Sequence, residues 1–192
     1  MTTELEKMMT GQEYSGLDEK LKSLRNTSNE ICLEYNGTLD DKRRKELLVK
    51  LLSKESELPT LEGPIHITYG FCTSFGKNCY ANFNLTILDH GTVTVGNNVM
   101  IGPGCTIVTA VHPIKAEERI VKTNENGRNY DVETARPVII EDNCWIGASV
   151  TICPGVRIGK ASVILPGSVV TKDIPANVIA SGVPCRTMRD IY

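Results

Sequence analysis

The feature that most constrains this chain is a six-residue apolar rhythm. It is clearest in Ile140, Ile146, Ile152, Ile158, Ile164 and Val170. Val95, Ile101 and Ile107 keep the same step, and Tyr69, Phe75, Ala81 and Ile87 keep it in a register offset by two residues. A unit this short cannot hold a helix–turn–helix repeat, and it is too regular for an immunoglobulin-like sandwich; short strands joined by tight corners satisfy it. Glycine follows the apolar residue in Ile101-Gly102, Ile146-Gly147 and Ile158-Gly159, where a side chain would crowd a closely approaching backbone. Pro103-Gly104, Pro154-Gly155 and Pro166-Gly167 suit the two central positions of a type II turn. Three such units close one triangular coil, with Ile, Val and Leu stacked inside and each backbone paired to the coils above and below. The expectation is a mainly β chain built as a parallel β-helix.

The rhythm starts after Pro59, and the expected organisation is a helical capping segment at 1–58, a β-helix at 59–173 with a long loop insertion at 113–137, and a tail at 174–192. In the cap, Leu17, Leu21, Leu24, Ile31 and Tyr35 fall close to helical spacing, with Ser15 and Asp18 as a capping box and Gly37 as a stop. Thr38 and Asp41 repeat the capping pattern ahead of Leu47, Leu48, Leu51 and Leu52. Such helices suit the open end of a coil stack, whose strand edges need covering. Pro175 and Pro184 predict an irregular tail or short strand instead of another coil.

A net charge of -2 and a pI near 6.0 give no electrostatic reason to expect a nucleic acid or an anionic membrane as partner. The seven cysteines form no C-x-x-C pair, so reduced thiols in a cytoplasmic protein are expected. No secretory leader pattern opens the sequence, and no apolar run approaches the length of a membrane span.

Several segments carry a resemblance in order: Tyr80-Ala81-Asn82-Phe83-Asn84, Ile107 to Pro113, Asn143 to Gly147, Val169 to Pro175, and Gly182 to Arg186. Together they resemble the maltose and galactoside O-acetyltransferases of the hexapeptide-repeat superfamily, over most of the chain. The resemblance implies a left-handed coil, acetyl-CoA as cosubstrate without a metal, and a small hydroxyl acceptor such as a sugar. It also implies a homotrimer whose donor and acceptor meet in clefts between subunits.

His112 stands where a repeat ends and the insertion begins. An imidazole neutral near pH 7 can take the proton of a hydroxyl as its oxygen attacks a thioester carbonyl, then return it to the departing thiolate. A histidine at such a corner can also be an ordinary hydrogen-bonding residue; the family pattern around it favours the base. The resemblance places the Asn82 amide at the oxyanion and Thr68 against the acceptor. For coenzyme A it implies Trp145, Ala148, Pro166, Thr171, Lys172, Arg186 and Arg189, of which the cations can meet phosphate.

Two acceptor positions depart from the family. His90, preceded by Asp89, stands where an acid is usual eight residues after the asparagine; both are kept as candidate acceptor contacts. The family's acceptor-binding acid near the N-terminus aligns with Gly16, with Asp18 two residues on, and the insertion is longer than in close relatives. Two other functions are weighed. Three histidines in a β-helix raise a γ-carbonic anhydrase-like zinc hydratase, although His66, His90 and His112, 24 and 22 residues apart, lack a closely spaced pair. A catalytically silent trimeric binding scaffold is the other.

Overall fold

The computed structural model describes residues 2–192. Three helices lead: α1 (Glu4–Met9), α2 (Glu19–Gly37) and α3 (Asp41–Leu51). The first was not expected from sequence; Thr3 and Glu6 form its capping box. The other two begin elsewhere than predicted, because Asp18 and Asp40 cap them. Asp18 accepts from the amides of Lys20 and Leu21 at 3.0 and 3.1 Å, while Ser15 is drawn away by Asp131 and Leu17 is left exposed.

The strands wind into three faces. The first stacks Leu61, Ala81, Ile101, Ile146, Ile164 and Ala180 in parallel register. The second stacks Ile67, Ile87, Ile107, Ile152 and Val170. The third stacks Phe75, Val95, Ile140 and Ile158, with Ile174 bridged to Ile158. All of these side chains are buried, each worth about 1.5–3 kcal/mol of transfer free energy for the larger ones. The chain is a parallel β-helix.

Tyr69 leaves the predicted register. Ile67 supplies that rung, and Tyr69 packs beyond it with Met8, Tyr14, Leu21 and Cys72. The two-residue slip belongs to a single corner: Ile67 to Phe75 and Ile87 to Val95 are both steps of eight, taken between the second and third faces. The insertion after Val108 leaves from that same corner one coil later.

Helix α2 covers the first coil's open edge with polar side chains as well as apolar ones. Ser28 and Tyr35 donate to the carbonyls of Ile67 and Leu61 at 2.7 and 2.6 Å, and Asn36 serves both the N–H and the carbonyl of Ile65. Backbone groups that a further coil would have paired are thereby satisfied. At the other end the tail is more regular than expected. Val178–Gly182 extends the first face in parallel, and Cys185–Asp190 folds back on it antiparallel, because Val178, Ala180 and Cys185 still find buried positions.

Candidate functional site

The expanded corner between the second and third faces needs an internal support, and Asp89 supplies it. Fully buried, it accepts from the amides of Tyr69 and Gly70 at 2.7 and 2.8 Å and from the Thr73 hydroxyl at 2.9 Å. Burial pushes its carboxyl up to about 6 despite these bonds. A carboxylate occupied in this way does not face an acceptor, so the expected contact at Asp89 is corrected to a structural one. Thr68, half-buried at the same corner, has its hydroxyl near the Ile87 carbonyl at 3.4 Å.

An insertion leaving a closed coil must run out and back, and its base is an antiparallel ribbon pairing Ala110–Val111 with Thr134–Ala135. The Arg136 amide donates to the Thr109 carbonyl, and Ala110 opposes Ala135. Continued one step beyond the last paired residues, Val111 and Thr134, this register leads to His112 and Glu133, and the His112 imidazole is near enough to favour the Glu133 charge. Glu133 instead exchanges both backbone bonds with Tyr14 of the N-terminal segment. His112 is exposed and Glu133 is buried.

The Glu133 carboxylate is the hub of a polar node. Its Oε2 accepts from the Tyr14 hydroxyl at 2.9 Å and lies 3.2 Å from His90 Nδ1, which is itself 2.7 Å from the Tyr14 hydroxyl. With the one Tyr14 proton donated to Glu133, Nδ1 of His90 must carry a proton to complete the set. Burial pushes the Glu133 carboxyl up, but the bonds from His90 and Tyr14 and the imidazoles of His90 and His112 hold it below the usual range. Burial and the Glu133 charge raise the Tyr14 phenol, keeping it a donor.

Beside the node, a cleft of about 900 Å³ separates the cap from the insertion, lined by Ser15, Asp18, Arg25, Asn124, Arg128 and Tyr130. A smaller one of about 400 Å³ reaches Tyr14, Asp131 and Val132. Neither Glu133 nor Tyr14 was singled out from sequence, since 119 residues separate them. The usable signal was the ribbon: counting inward from Val108 and Pro137 pairs His112 with Glu133.

The other candidates divide between the two edges of the second face. Asn82 sits at its entry edge, where its Oδ1 accepts the Phe83 amide at 2.8 Å and leaves its NH2 as a free donor. Ala148 and Pro166 occupy the same edge on later coils, and Trp145, 46% exposed, stands on the outer side of the first face between Met100 and Val163. Arg186 and Arg189 are exposed on the strand folded back at the end of that face. His112, His90, Thr68, Thr171 and Lys172 lie at the exit edge. Asn82 precedes the second-face strand Leu85–Leu88 and His112 follows the strand Thr106–Val108 on that face, so the two lie toward opposite edges of it.

His66 points outward from the first strand of the second face, away from this node, and among the described residues no three His, Cys, Asp or Glu side chains converge as metal ligands. No helix among them is long and apolar enough to cross a membrane. The cysteines are free, six of the seven are buried, and burial raises their thiols above the ordinary range.

A capped hexapeptide coil with a histidine at the base of an insertion defines a hexapeptide-repeat transferase. Residues 137–172 match the bacterial transferase hexapeptide family of six repeats, and residues 7–55 the maltose acetyltransferase hexapeptide capping motif. Galactoside O-acetyltransferase of Escherichia coli is 40% identical over 188 residues, 97% of this chain and 88% of that protein. The crystal structure of a maltose O-acetyltransferase from Clostridium difficile superposes with a TM-score of 0.88 at 39% identity, covering 99% of this chain and 98% of that one. A hexapeptide-repeat acetyltransferase from Vibrio cholerae, solved with acetyl coenzyme A, gives 0.83 at 31% identity, covering 99% of each chain. The chain belongs to the maltose/galactoside O-acetyltransferase family.

Proposed function

We propose that this enzyme transfers an acetyl group from acetyl-CoA to a hydroxyl of a sugar or similar small polyol, with His112 as general base. The observation that carries the reading is His112 itself, exposed at the base of the insertion and opposite the ionised Glu133 node, within a chain of this family. The imidazole accepts the hydroxyl proton as the oxygen attacks the thioester carbonyl. Asn82 donates its free N–H to the oxyanion; such a donor is worth about 3 kcal/mol. Collapse of the intermediate breaks the carbon–sulfur bond, and the imidazolium returns its proton to the thiolate of CoA.

The two edges of the second face supply complementary halves. One carries the base, Thr171 and Lys172; the other carries Asn82, Ala148, Pro166 and, on the adjoining face, Trp145. A neighbouring copy that sets its entry edge against this exit edge completes the site, so the working unit is a closed homo-oligomer, a trimer on the family pattern. Lys172, Arg186 and Arg189 then meet the phosphates of the cosubstrate. Free, mostly buried thiols suit a reducing compartment, and the cytoplasm is the proposed location.

Replacing His112 with alanine lowers turnover by at least about two orders of magnitude, the usual scale for losing a general base. Coenzyme A affinity, followed by thermal shift, changes little. Near-normal turnover in the folded variant rejects the assignment.

A further inference from the structure

The outer part of the insertion adds nothing to either hydrophobic core. Lys122–Thr123 pairs with Asn129–Tyr130 as a two-stranded ribbon that turns at Gly127, φ 73°, and none of its residues is buried. The short helix before it, Ala116–Arg119, buries none either. Two strands alone are marginally stable in water, so the packing of the coil gives no reason for them. The ribbon instead faces the first turns of α2 across the cleft of about 900 Å³, with Arg128 and Tyr130 on one wall and Glu19 and Lys22 on the other.

The chemistry of the walls narrows the occupant. Three acids, Glu4, Asp18 and Glu19, stand against three bases, Lys22, Arg25 and Arg128, so the lining has no formal net charge with which to select an anion. Glu19, Lys22 and Arg128 take part in none of the ion pairs among the described residues. Asn124 Oδ1 accepts from the amides of Asn126 and Arg128, and Asn129 Oδ1 from the Thr123 hydroxyl, which leaves both NH2 groups as donors. Hydroxyls answer a wall of unused donors and acceptors because they both donate and accept, whereas an apolar ligand would leave these groups unpaired. Leu17, 42% exposed, and the Tyr130 ring supply apolar surface for the C–H face of a sugar ring.

The cleft is large, and it leads toward the base. Its volume is near the top of the ~300–1,000 Å³ range of ligand pockets, more than a single sugar ring fills. The smaller cleft shares Glu4, Ser15, Asn124 and Tyr130 with it and is lined also by Tyr14, which bonds Glu133. Tyr130 to Glu133 spans up to about 10 Å of extended chain, and Thr134, next in sequence, pairs with Val111 beside His112. We propose that the cleft is a carbohydrate subsite for the part of the acceptor that is not acetylated. One sugar unit presents its hydroxyl to His112, and further units run outward between α2 and the ribbon. The acceptor class is therefore a linear oligosaccharide instead of a single sugar.

This inference deepens the acetyl-transfer reading and rests on it. Wild type, Arg128→Ala and Tyr130→Ala are assayed for thiol release with acetyl-CoA on glucose, galactose and their α- and β-linked dimers, trimers and tetramers. Contacts remote from the reacting centre are made equally before and at the transition state, so lengthening the best acceptor lowers KM about 10-fold or more and leaves kcat within about threefold. Each substitution returns the KM of the tetramer toward that of the single sugar, and changes the single sugar less than about threefold. Calorimetric titration without acetyl-CoA shows the same preference of wild type for tetramer over monomer. The wild-type series needs no variant to fold: kcat/KM independent of chain length overturns the inference while acetyl transfer stands. A length preference that both variants retain, or equal losses on monomer and tetramer, also overturns it. Transfer by the wild type to no hydroxyl compound overturns both.

Discussion

The corner between the third and first faces repeats one solution on five successive coils. Asn78, Asn98, Asn143, Ala161 and Asn177 all adopt φ between 55° and 61°, and the amides of Asn78, Asn98 and Asn143 are bonded in a ladder at 3.2 and 3.0 Å. The corner between the second and third faces never settles. It takes eight-residue steps twice, throws out the insertion, and then tightens to a six-residue step from Ile152 to Ile158. Neutral amides satisfy the first corner, while the second holds a buried aspartate, a histidine and the glutamate node. In a repeat array each coil contacts only its neighbours, so a corner with purely structural work can be copied unchanged. Where the copies differ, something besides stacking is being specified.

The largest effect sought from this contrast comes from mixing chains. If the catalytic halves lie on opposite edges of the second face, His112→Ala and Asn82→Ala are each nearly inactive alone. Co-assembled in equal amounts, they regain up to about a quarter of wild-type activity, because in a random cyclic assembly one contact in four joins an intact base to an intact amide. No recovery in verified mixed assemblies would mean that each chain carries a whole site, and the two edges could not then be far apart.

A smaller effect tests the buried charge at the irregular corner. The Asp89 carboxyl is raised from 3.8 to about 6, chiefly by burial, so the folded chain holds this proton more tightly than the unfolded chain. Stability from this group is therefore fully present below about pH 4 and is lost as pH rises through 6. Asparagine at 89 keeps the shape without titrating. The advantage of wild type over Asp89→Asn should grow by about 2 kcal/mol between pH 7.5 and pH 4.5 in paired urea denaturations. A pH-independent difference would show that Asp89 ionises normally and that its three donors balance burial.

The regular parts were legible from sequence because stacking imposes them residue by residue. Ile101, Ile107 and the run from Ile140 to Val170 could be read directly, since every step of six returns to the same buried column. His112 was singled out because it stands where the repeat ends and the insertion begins, with the family pattern around it. The register failed at Tyr69, where an apolar residue two places beyond Ile67 serves the cap instead of the coil. Asp18 and Asp40 lost to Ser15 and Thr38 in the sequence reading because all four are good capping types, and only tertiary contacts such as Ser15 with Asp131 decide among them. The Tyr14–Glu133–His90 node joins three distant segments through one antiparallel bridge, and no local pattern encodes such a meeting.

The smallest effect lies in the regular corner, where Ala161 is the one break in the asparagine column. Alanine at φ 56° pays the crowding of Cβ against its carbonyl that asparagine better tolerates, and it leaves the amide of Asn143 without a successor. Ala161→Asn should continue the ladder toward Asn177 and add about 1 kcal/mol, from backbone preference and a partly exposed amide bond together. For a chain of this length that raises Tm by about 2–4 °C by calorimetry. Acetyl transfer should change little, because both edges of the second face lie a full side of the triangle away and Trp145, on the adjoining face, is paired to Val163 and not to residue 161. A gain in Tm with loss of activity would show that the repeating corner also reaches the chemistry, and that uniform repetition does not mark a purely structural role.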